Sequence, residues 1–428
     1  MRMETTLKTP THEPMAGSMS LIAGKGSGTR KAPLRILYIC SSWPAGKSFG
    51  GQLRALQIGR ALKQMGTVEI AVISADAANQ SARRRTEEEF TVVMAIEPES
   101  RPNAGLLEKA CWALDPKFLN VHGVQARAVE REKLMALCGE YDLVWVLNSR
   151  TPNILNRWKW RNAHLDLDDI PSTYLRGAGL QGESRIARMK AQVQRVAMRR
   201  RERLWKERFT TLSVCSEEDR QYLGGGDGIH VIPNGFERNE GEPLRSAAPE
   251  FPRIGFIGLC TYEPNRDGVR WFLEHCWPGI RREIPGVRFR LAGEGAEEFR
   301  GAPDENVDVL GWIADPATEM ATWSATVIPV RFGGGTRVKV VDAFSRKCPV
   351  VSTRLGAFGY DVENNREFLL ADEPAEFAEA CVALIREPAK GFEMAARAHA
   401  AFLEKWTWDA IAPRVWAAAE DCLRRSKV

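Results

Sequence analysis

The sequence predicts an α/β protein in which two doubly wound domains face a central cleft. Apolar, strand-like runs alternate with helical patterns along most of the chain, and a polar stretch at 237–250 interrupts this alternation once. The length of 428 residues also exceeds the size at which a single hydrophobic core keeps growing. We therefore expect a first domain over 33–236 and a second over 237–406.

The first domain opens with a β-α-β pattern formed by RILYIC (35–40), a helical stretch at 51–66 and VEIAVIS (68–74). Strand and helix patterns that alternate in this way favour a mostly parallel sheet covered on both faces. The remaining strand candidates are FTVVMAI (90–96), YDLVWVLN (141–148), HLDLDDI (164–170), FTTLSVCS (209–216) and IHVIPNG (229–235).

The second domain repeats the alternation. An amphipathic helix at 407–425 follows it and is predicted to pack back onto the first domain. Residues 1–32 lack periodicity and are rich in Thr, Pro, Gly, Ser and Lys, which predicts a disordered leader. The strand candidates of the second domain are RIGFIGLC (253–260), VRFRLAGEG (287–295), VDVLGWI (307–313), ATVIPV (325–330) and PVVST (349–353).

Composition and missing motifs exclude several classes of protein. The nine cysteines are scattered without a C-x-x-C pair, which fits reduced thiols in the cytoplasm. No apolar run approaches the roughly 18 residues of a membrane span. The H-E-x-x-H and P-loop motifs are missing, and no nucleic-acid-binding motif is found. The G-x-G at 293–295, between a predicted strand and a helix, lacks the third glycine of a dinucleotide site, so a tight turn is expected.

Residues 183–208 form a predicted basic amphipathic helix, with ten Arg or Lys against three Glu. Four apolar side chains recur in it at helical spacing. Such a helix either makes a peripheral contact with an anionic membrane surface, or contacts polyphosphate, or packs between domains with a solvated basic face. The apolar positions are Ile186, Met189, Val193 and Val196.

A glycine loop between a buried strand (325–330) and a helix start predicts an anion-binding site. Glycines allow the backbone to approach a ligand closely, and the unpaired N–H groups of a helix start attract phosphate. We expect the residue after the glycines to cap this helix. The loop comprises Gly333, Gly334 and Gly335, and the expected cap is Thr336.

Charged residues just beyond the loop strengthen this prediction. Arg337 and Lys339 add positive charge at the helix start, and Asp342 follows on a neighbouring part of the same face. A carboxylate at that place is suited to accept hydrogen bonds from sugar or ribose hydroxyls. The alternative is an ordinary loop in which both cations are solvated and Asp342 pairs with a lysine.

Two features of the first domain point to the other side of the cleft. Asp166 and Asp168 alternate on a predicted strand, so their carboxylates share one side and can bind a metal or a hydroxylated acceptor. The third possibility is structural, with Asp168 or Asp169 capping a helix. Gly50 and Gly51 follow the first strand, in a loop that either contacts the acceptor or makes a tight turn.

Five segments, in their order along the chain, together carry a resemblance to a known family. The sequence resembles the group 1 (family 4) glycosyltransferases of the GT-B fold, which have two Rossmann-like domains, and most closely the bacterial branch of exopolysaccharide synthesis. The resemblance covers about 33–425 and is more specific in the second half. The segments are VIPNGF (231–236), IGFIGLCTYEPNRDGVRWF (254–272), LAGEG (291–295), GW (311–312) and GGGTRVKVVDAFSRKCPVVST (333–353).

The resemblance implies transfer of a hexose from a nucleotide-sugar to a glycan or lipid-linked saccharide in polysaccharide biosynthesis. The anomeric configuration is retained, and neither a cofactor nor an obligatory metal is expected. The family usually carries two glutamates separated by seven residues, whereas this chain has Gly334 and Asp342 at those positions. The alternatives are a nucleotide-sugar epimerase or hydrolase, and a nucleotide-sugar-binding protein without turnover.

The implied site divides into three groups of residues. Arg337, Lys339 and Asp168 are the predicted catalytic residues. Gly50, Gly51 and Asp166 are predicted to contact the acceptor. The predicted donor site consists of Gly333, Gly334, Gly335, Thr336, Asp342, Asn265, Trp312 and Ile313, in which the last two are placed to contact the base.

Overall fold

Two parallel sheets, each covered by helices on both faces, form the framework of the computed structural model. The described residues are 33–46, 50–74, 79–100, 105–119, 123–180, 184–238, 249–301 and 304–427. The predicted leader at 1–32 lies outside them. Leu34–Val428 form one compact unit, which contains both sheets.

The first sheet has seven parallel strands in the order β3-β2-β1-β6-β7-β8-β9, and a separate antiparallel pair joins β4 to β5. Successive side chains of the central strand enter different cores, since Ile36 and Tyr38 belong to one cluster and Leu37 and Ile39 to another. This explains why the strand is apolar at nearly every position. The strands are β1 (Leu34–Cys40), β2 (Gly66–Ile73), β3 (Thr91–Ile96), β4 (Glu99–Ser100), β5 (Val124–Gln125), β6 (Leu143–Leu147), β7 (Ala163–Asp166), β8 (Thr211–Val214) and β9 (Ile229–Val231).

Helices follow most strands of this sheet, as the alternating pattern predicts. Several have side-chain caps, such as Ser184, whose hydroxyl accepts a hydrogen bond from the Ala187 N–H at the start of the basic helix. The helices are α1 (Gly50–Lys63), α2 (Gln80–Glu89), α3 (Leu106–Leu114), α4 (Ala128–Cys138), α5 (Thr151–Ile154), α6 (Pro171–Leu180), α7 (Arg185–Glu202), α8 (Trp205–Arg208) and α9 (Glu217–Tyr222).

The second sheet has six parallel strands in the order β12-β11-β10-β13-β14-β15. Glycines 293 and 295 make a tight turn after β11. Glycine is needed at 293, because an added Cβ there would lie 1.9 Å from the Gly258 carbonyl oxygen. The strands are β10 (Arg253–Ile257), β11 (Arg288–Ala292), β12 (Val307–Gly311), β13 (Ala325–Ile328), β14 (Val350–Ser352) and β15 (Leu369–Leu370).

The last helix returns to the first sheet. Ile411, Val415 and Ala419 of this helix are buried in the same cluster as Ile36 and Tyr38. The first strand and the last helix therefore pack in the same half of the molecule. The helices of the second half are α10 (Glu263–Trp271), α11 (Trp277–Glu283), α12 (Pro316–Ala321), α13 (Val338–Ser345), α14 (Pro374–Arg386), α15 (Pro388–Lys405) and α16 (Trp408–Arg425).

The strand order reverses beside the first strand of each sheet, at β1/β6 and at β10/β13. Ligands of doubly wound sheets bind outside the carboxyl ends of the strands at such a switch point. The glycine loop follows β13, so it lies at the switch point of the second sheet. The start of α1, which follows the first strand of the first sheet, lies near the residues that follow this loop. An added Cβ at Gly50 would be 3.0 Å from Cγ2 of Val338, the first residue of α13.

Candidate active site

The glycine loop lies directly against the first half of the molecule. Gly333 and Gly335 have φ values of +125° and +68°, which favour glycine. An added Cβ at Gly335 would lie 2.8 Å from the Asp168 carbonyl oxygen, and one at Gly334 would lie 3.0 Å from Thr173 Oγ1. The loop therefore needs glycines for a close approach between backbones as well as for its conformation.

Thr336 does not cap the helix that follows, which corrects the sequence-based expectation. The N-cap position of α13 is Arg337, without a side-chain cap. The Thr336 hydroxyl instead accepts a hydrogen bond of 3.0 Å from Asn234 Nδ2, which also donates at 3.0 Å to Asp168 Oδ1. Asn234 thus connects the glycine loop to the segment after β7.

Arg337 is buried with only part of its hydrogen-bonding capacity used. It is 7% exposed, and Nη1 donates to the carbonyl oxygens of Gly334 and Gly335. Nε and Nη2 find no acceptor among the described residues. Burial lowers the pKa of Arg337. A buried cation with two free donors is unfavourable unless an anion binds beside it, so this geometry is that of an anion site.

Lys339 adds a second cation on the first turn of α13. Its ammonium donates to Asn265 Oδ1 at 2.6 Å and lies 4.3 Å from the centre of the Phe256 ring. It forms no ion pair with any described carboxylate. Burial, together with the charge of Arg337, lowers the pKa of Lys339 to about 7. Asn265 is itself held by a hydrogen bond of 2.8 Å from Nδ2 to the Leu259 carbonyl, so it orients the lysine.

The other residues predicted for the donor lie around this pair of cations. Asp342 is one turn further along α13 and forms a salt bridge of 2.6 Å with Arg346. Trp312 follows β12 and is 74% exposed, whereas Ile313 is partly buried. Contact of these three residues with a nucleotide remains a prediction.

Asp166 is part of the interior, which corrects its predicted contact with the acceptor. Arg54 Nη2 donates to its Oδ1 at 2.6 Å, Arg54 Nε donates to Oδ2 at 3.1 Å, and both side chains are fully buried. Ser213 adds a further hydrogen bond of 2.6 Å to Oδ1. Because Asp166 is enclosed in this way, it cannot reach a saccharide or share a metal with Asp168.

Strand β7 ends at Asp166, so the next two aspartates lie in the segment beyond it rather than on the predicted strand. Asp168 lines a cavity of about 340 Å³ together with Gly51 and Arg150. The structure therefore brings Asp168 and Gly51 to one cavity, as expected for residues after parallel strands. Their contact with an acceptor remains a prediction.

Asp169 is a candidate that the sequence did not single out beyond a capping role. It forms no hydrogen bond or ion pair with any described residue, and its Cβ lies against the glycine loop, 3.4 Å from an added Cβ at Gly334. Glu202 takes the capping role at α6 instead, since its Oε1 accepts the Ser172 N–H at 2.8 Å. The available sequence signal was the third acid of LDLDD, just after a buried strand.

Burial raises the pKa of Asp169 to about 6, and the neighbouring charges of Asp168 and Asp219 act in the same direction. Arg337 is the one cation with an opposing effect. Asp169 also lines a second, largely apolar cavity of about 580 Å³ with Tyr174 and Tyr262. The site thus combines two cations on the second half with a carboxylate of intermediate pKa on the first.

Comparisons with known proteins identify a family match in the second half of the chain and a shared fold. Residues 251–387 match the family model described as group 1 glycosyl transferases. An uncharacterized 44.6 kDa protein in the cps region of Klebsiella pneumoniae is 26% identical over 133 residues. This match covers 29% of the chain and 34% of the Klebsiella protein. The chain therefore spans about a third of the length of that relative.

Two solved structures share the architecture. Anabaena HepE, in complex with UDP and glucose, has a TM-score of 0.60 and 18% identity, with 90% of this chain and 98% of HepE covered. Sucrose-phosphate synthase from Thermosynechococcus elongatus has a TM-score of 0.64 and 16% identity, with 90% and 98% covered. At these identities the likeness shows the fold. The chain thus has the GT-B fold, and its residues 251–387 match the family of group 1 glycosyltransferases.

Proposed function

We propose that the protein transfers a hexose from a nucleotide-sugar to a glycan or lipid-linked saccharide in polysaccharide biosynthesis, with retention of anomeric configuration. The observation that carries this proposal is the buried guanidinium of Arg337, which has two unused donors beside Lys339. Such a pair suits the diphosphate of a nucleotide-sugar. The cps-region relative and the UDP complex of HepE support the substrate class.

The chemistry of the transfer needs no side-chain nucleophile on this chain. As the bond between the sugar and the phosphate breaks, negative charge builds on the leaving diphosphate. Arg337, Lys339 and the amides of the glycine loop stabilise that charge, which is the largest contribution in most such reactions. Neither a cofactor nor a metal takes part in this proposal.

The remaining donor contacts follow from position. Asp342 accepts hydrogen bonds from the ribose, and Trp312 and Ile313 after β12 contact the base. Asn265 holds the Lys339 ammonium. On the opposite side, the saccharide acceptor lies in the cavity of about 340 Å³ that contains Gly51 and Asp168, beside Gly50 at the start of α1.

A lipid-linked acceptor would be reached through α7. Its four apolar side chains at 186, 189, 193 and 196 are between 51% and 63% exposed, beside the basic residues of the same helix. This surface suits peripheral contact with the anionic inner face of a membrane. No helix in the described part of the chain is both long and apolar enough to cross a bilayer.

The membrane contact is tested by sedimentation with vesicles. Vesicles of phosphatidylglycerol and phosphatidylcholine should bind the protein, and vesicles of phosphatidylcholine alone should not. The double variant Val193→Asp/Val196→Asp should reduce binding at least tenfold. Equal binding of the variant would show that α7 is not the contact.

The donor site is tested by thermal shift with UDP, GDP, UDP-glucose and GDP-mannose. A ligand that binds only the folded state raises the melting temperature, by an amount that grows with its concentration over Kd. We expect a selective rise with one nucleotide that is lost in Arg337→Ala. No rise with any of these compounds would refute the donor site, and donor binding without transfer would favour a binding protein.

A further inference from the structure

The large cavity, of about 580 Å³, has no role in the donor and acceptor contacts proposed so far. Its volume is within the roughly 300–1,000 Å³ of small-molecule sites. Helices α3, α6, α7 and α8 of the first half contribute to its walls. Tyr262, which precedes α10 of the second half, also lines it, so the cavity lies between the two halves.

Arg208 is a buried cation in the wall of the large cavity, and it is only 3% exposed. Its Nε donates to the Trp158 carbonyl at 3.1 Å, and its Nη2 donates to the Arg157 carbonyl at 3.0 Å. Nη1 donates to the side-chain oxygen of Asn153 at 3.2 Å. All three acceptors are neutral. Nη1 and Nη2 each keep one N–H group for which the described residues offer no acceptor.

Arg201 on α7 adds a second cation to this wall. Its Nη2 donates to the carbonyls of Trp112 and, at 2.8 Å, Asp115, and its Nη1 donates to the Ala197 carbonyl at 3.2 Å. Its Nε finds no acceptor in the described part of the chain. Burial lowers the pKa of both arginines to about 10, and the charge of Arg201 acts on Arg208 in the same direction. The two cations therefore lie close enough to repel each other.

Two acids also line the cavity, but neither forms an ion pair with these arginines. Glu202 accepts hydrogen bonds at both oxygens from Ser172, through its N–H and its hydroxyl. Asp169 lies against the glycine loop, where an added Cβ at Gly335 would be 3.3 Å from its own Cβ. Buried cations without a carboxylate partner are unfavourable unless an anion binds beside them, so the large cavity suits an anionic ligand.

The helices that supply this wall also carry an exposed apolar surface. Three leucines of α3, at 106, 107 and 114, are between 72% and 87% exposed, and the four apolar side chains of α7 are more than half exposed. Arg201 connects the two helices, because its guanidinium lies 4.4 Å from the centre of the Trp112 ring. A ligand held at the arginines would therefore find an apolar surface for a lipid chain beside its anionic group.

The large cavity also adjoins the cavity of about 340 Å³ that is proposed for the acceptor saccharide. Asn148 and Arg150 line both cavities. The consecutive residues Asp168 and Asp169 line one cavity each. A ligand that spans the two cavities would have its anionic group between an apolar chain on α3 and α7 and a saccharide in the cleft.

We propose that the large cavity binds the phosphate or diphosphate group that joins lipid to saccharide in a lipid-linked acceptor, with Arg201 and Arg208 as its cationic partners. The planar fork of an arginine matches the oxygens of a phosphate group. This inference rests on the proposed function, because it assumes that the acceptor saccharide lies beside Asp168 and the donor diphosphate at Arg337. The two arginines bind the acceptor and take no part in the chemical step.

Titration calorimetry with farnesyl diphosphate tests this site, because the compound has an apolar chain and a diphosphate but no saccharide. The full-length protein is first saturated with UDP or GDP, whichever raises its melting temperature, so that the site at Arg337 is filled. Farnesyl diphosphate should bind about tenfold or more tightly than farnesol, which lacks the charge. It should also bind more tightly than inorganic pyrophosphate, which lacks the chain.

Arg201→Gln and Arg208→Gln each remove one cation and should weaken the affinity for farnesyl diphosphate by about tenfold. Arg203→Gln is the matched control. Arg203 is exposed and lies two residues from Arg201, but it does not line the cavity, so its loss should leave this affinity unchanged. All three variants should bind the nucleotide as tightly as the wild type, which shows that they are folded.

The outcomes separate this inference from the proposed function. Unchanged affinity for farnesyl diphosphate in both arginine variants would overturn the phosphate site, while nucleotide binding would leave the donor site standing. Farnesol or inorganic pyrophosphate that binds as tightly as farnesyl diphosphate would overturn the lipid-linked acceptor. If Arg208→Gln loses nucleotide affinity, the partly exposed Arg201 decides the result. Absence of binding by both UDP and GDP would refute the proposed donor site itself.

Discussion

Two buried arginines of this protein differ in what surrounds them. Arg54 on α1 is fully buried and donates to both oxygens of Asp166, to the Ile232 carbonyl and to Asn234 Oδ1. Arg337 is nearly as buried, yet it reaches only the carbonyls of its own loop and leaves two donors unused.

This difference in hydrogen-bond partners distinguishes an arginine with a structural role from one that is suited to bind a ligand. Burying a charge costs free energy in both cases, but at Arg54 a carboxylate of the chain offsets the cost, whereas at Arg337 that offset has to come from outside. Burial of a cation therefore does not identify a binding site by itself. The donors left without an acceptor do.

The largest effect is expected at the paired arginine. Arg54→Met leaves the Asp166 carboxylate buried without its partner, so the free energy of unfolding should fall by about 3–5 kcal/mol. Urea denaturation measures this loss. Arg60→Met is the matched control, because Arg60 pairs with Glu89 at the surface and its loss should cost under about 1 kcal/mol. A similar loss in both variants would contradict the assigned difference.

The next largest effect is expected at Arg337, and it should appear in turnover rather than in stability. Arg337→Met should leave the free energy of unfolding unchanged or raised, because it removes an uncompensated buried charge. Turnover of the nucleotide-sugar that raises the melting temperature should fall by about 100- to 1,000-fold, as when a preorganised hydrogen-bond donor is removed. Arg331→Met serves as control, since Arg331 follows the same strand but pairs with Asp267 at 2.6 Å. A lower free energy of unfolding in Arg337→Met would show that this arginine, like Arg54, has a structural role.

Lys339 is also a partly buried cation without a carboxylate partner among the described residues, so it should make the free energy of unfolding depend on pH. Its pKa of about 7 in the folded chain is below the ordinary value of 10.5, so the unfolded chain binds more protons between these values. Stability of the wild type should therefore rise as pH increases from about 7 to about 10. Lys339→Met should remove that rise and stabilise the protein at pH 7 by about 1 kcal/mol or more.

Ligand affinity should depend on pH in the opposite direction to stability. A bound diphosphate favours the charged ammonium, so UDP affinity should weaken as pH increases above about 7. Titration calorimetry of UDP at pH 6.5 and 8.5 measures the change, with Lys339→Met as the variant that should lack it. Equal affinity of the wild type at both pH values would show that Lys339 does not meet the diphosphate.

The smallest effect is expected at Asp342. This carboxylate is ion-paired with Arg346, so its loss should change stability by about 1 kcal/mol or less. Asp342→Asn should raise KM for the donor by about fivefold with kcat little changed, because a ribose contact is made equally in the ground and transition states. An unchanged KM would show that Asp342 does not contact the ribose.

The outcomes for the three aspartates 166, 168 and 169 show where pattern-based prediction reached its limit. Alternation along a predicted strand placed the first two on one side, but β7 ends at Asp166, and beyond a strand end the alternation no longer applies. Asp166 was assigned to the acceptor because its partner, Arg54, is 112 residues away in sequence. A bidentate pair over that distance leaves no local signal.

Local regularities were enough to predict the two doubly wound sheets and the glycine loop at the end of a strand. The period of two in strands, the helical period and the conformational freedom of glycine are all properties of neighbouring residues. Only the tertiary structure decided which charges are used and which are free. The partner of Arg54, the missing partner of Arg337 and the place of Asp169 against the loop depend on contacts between distant segments, where burial sets the cost of every unpaired group.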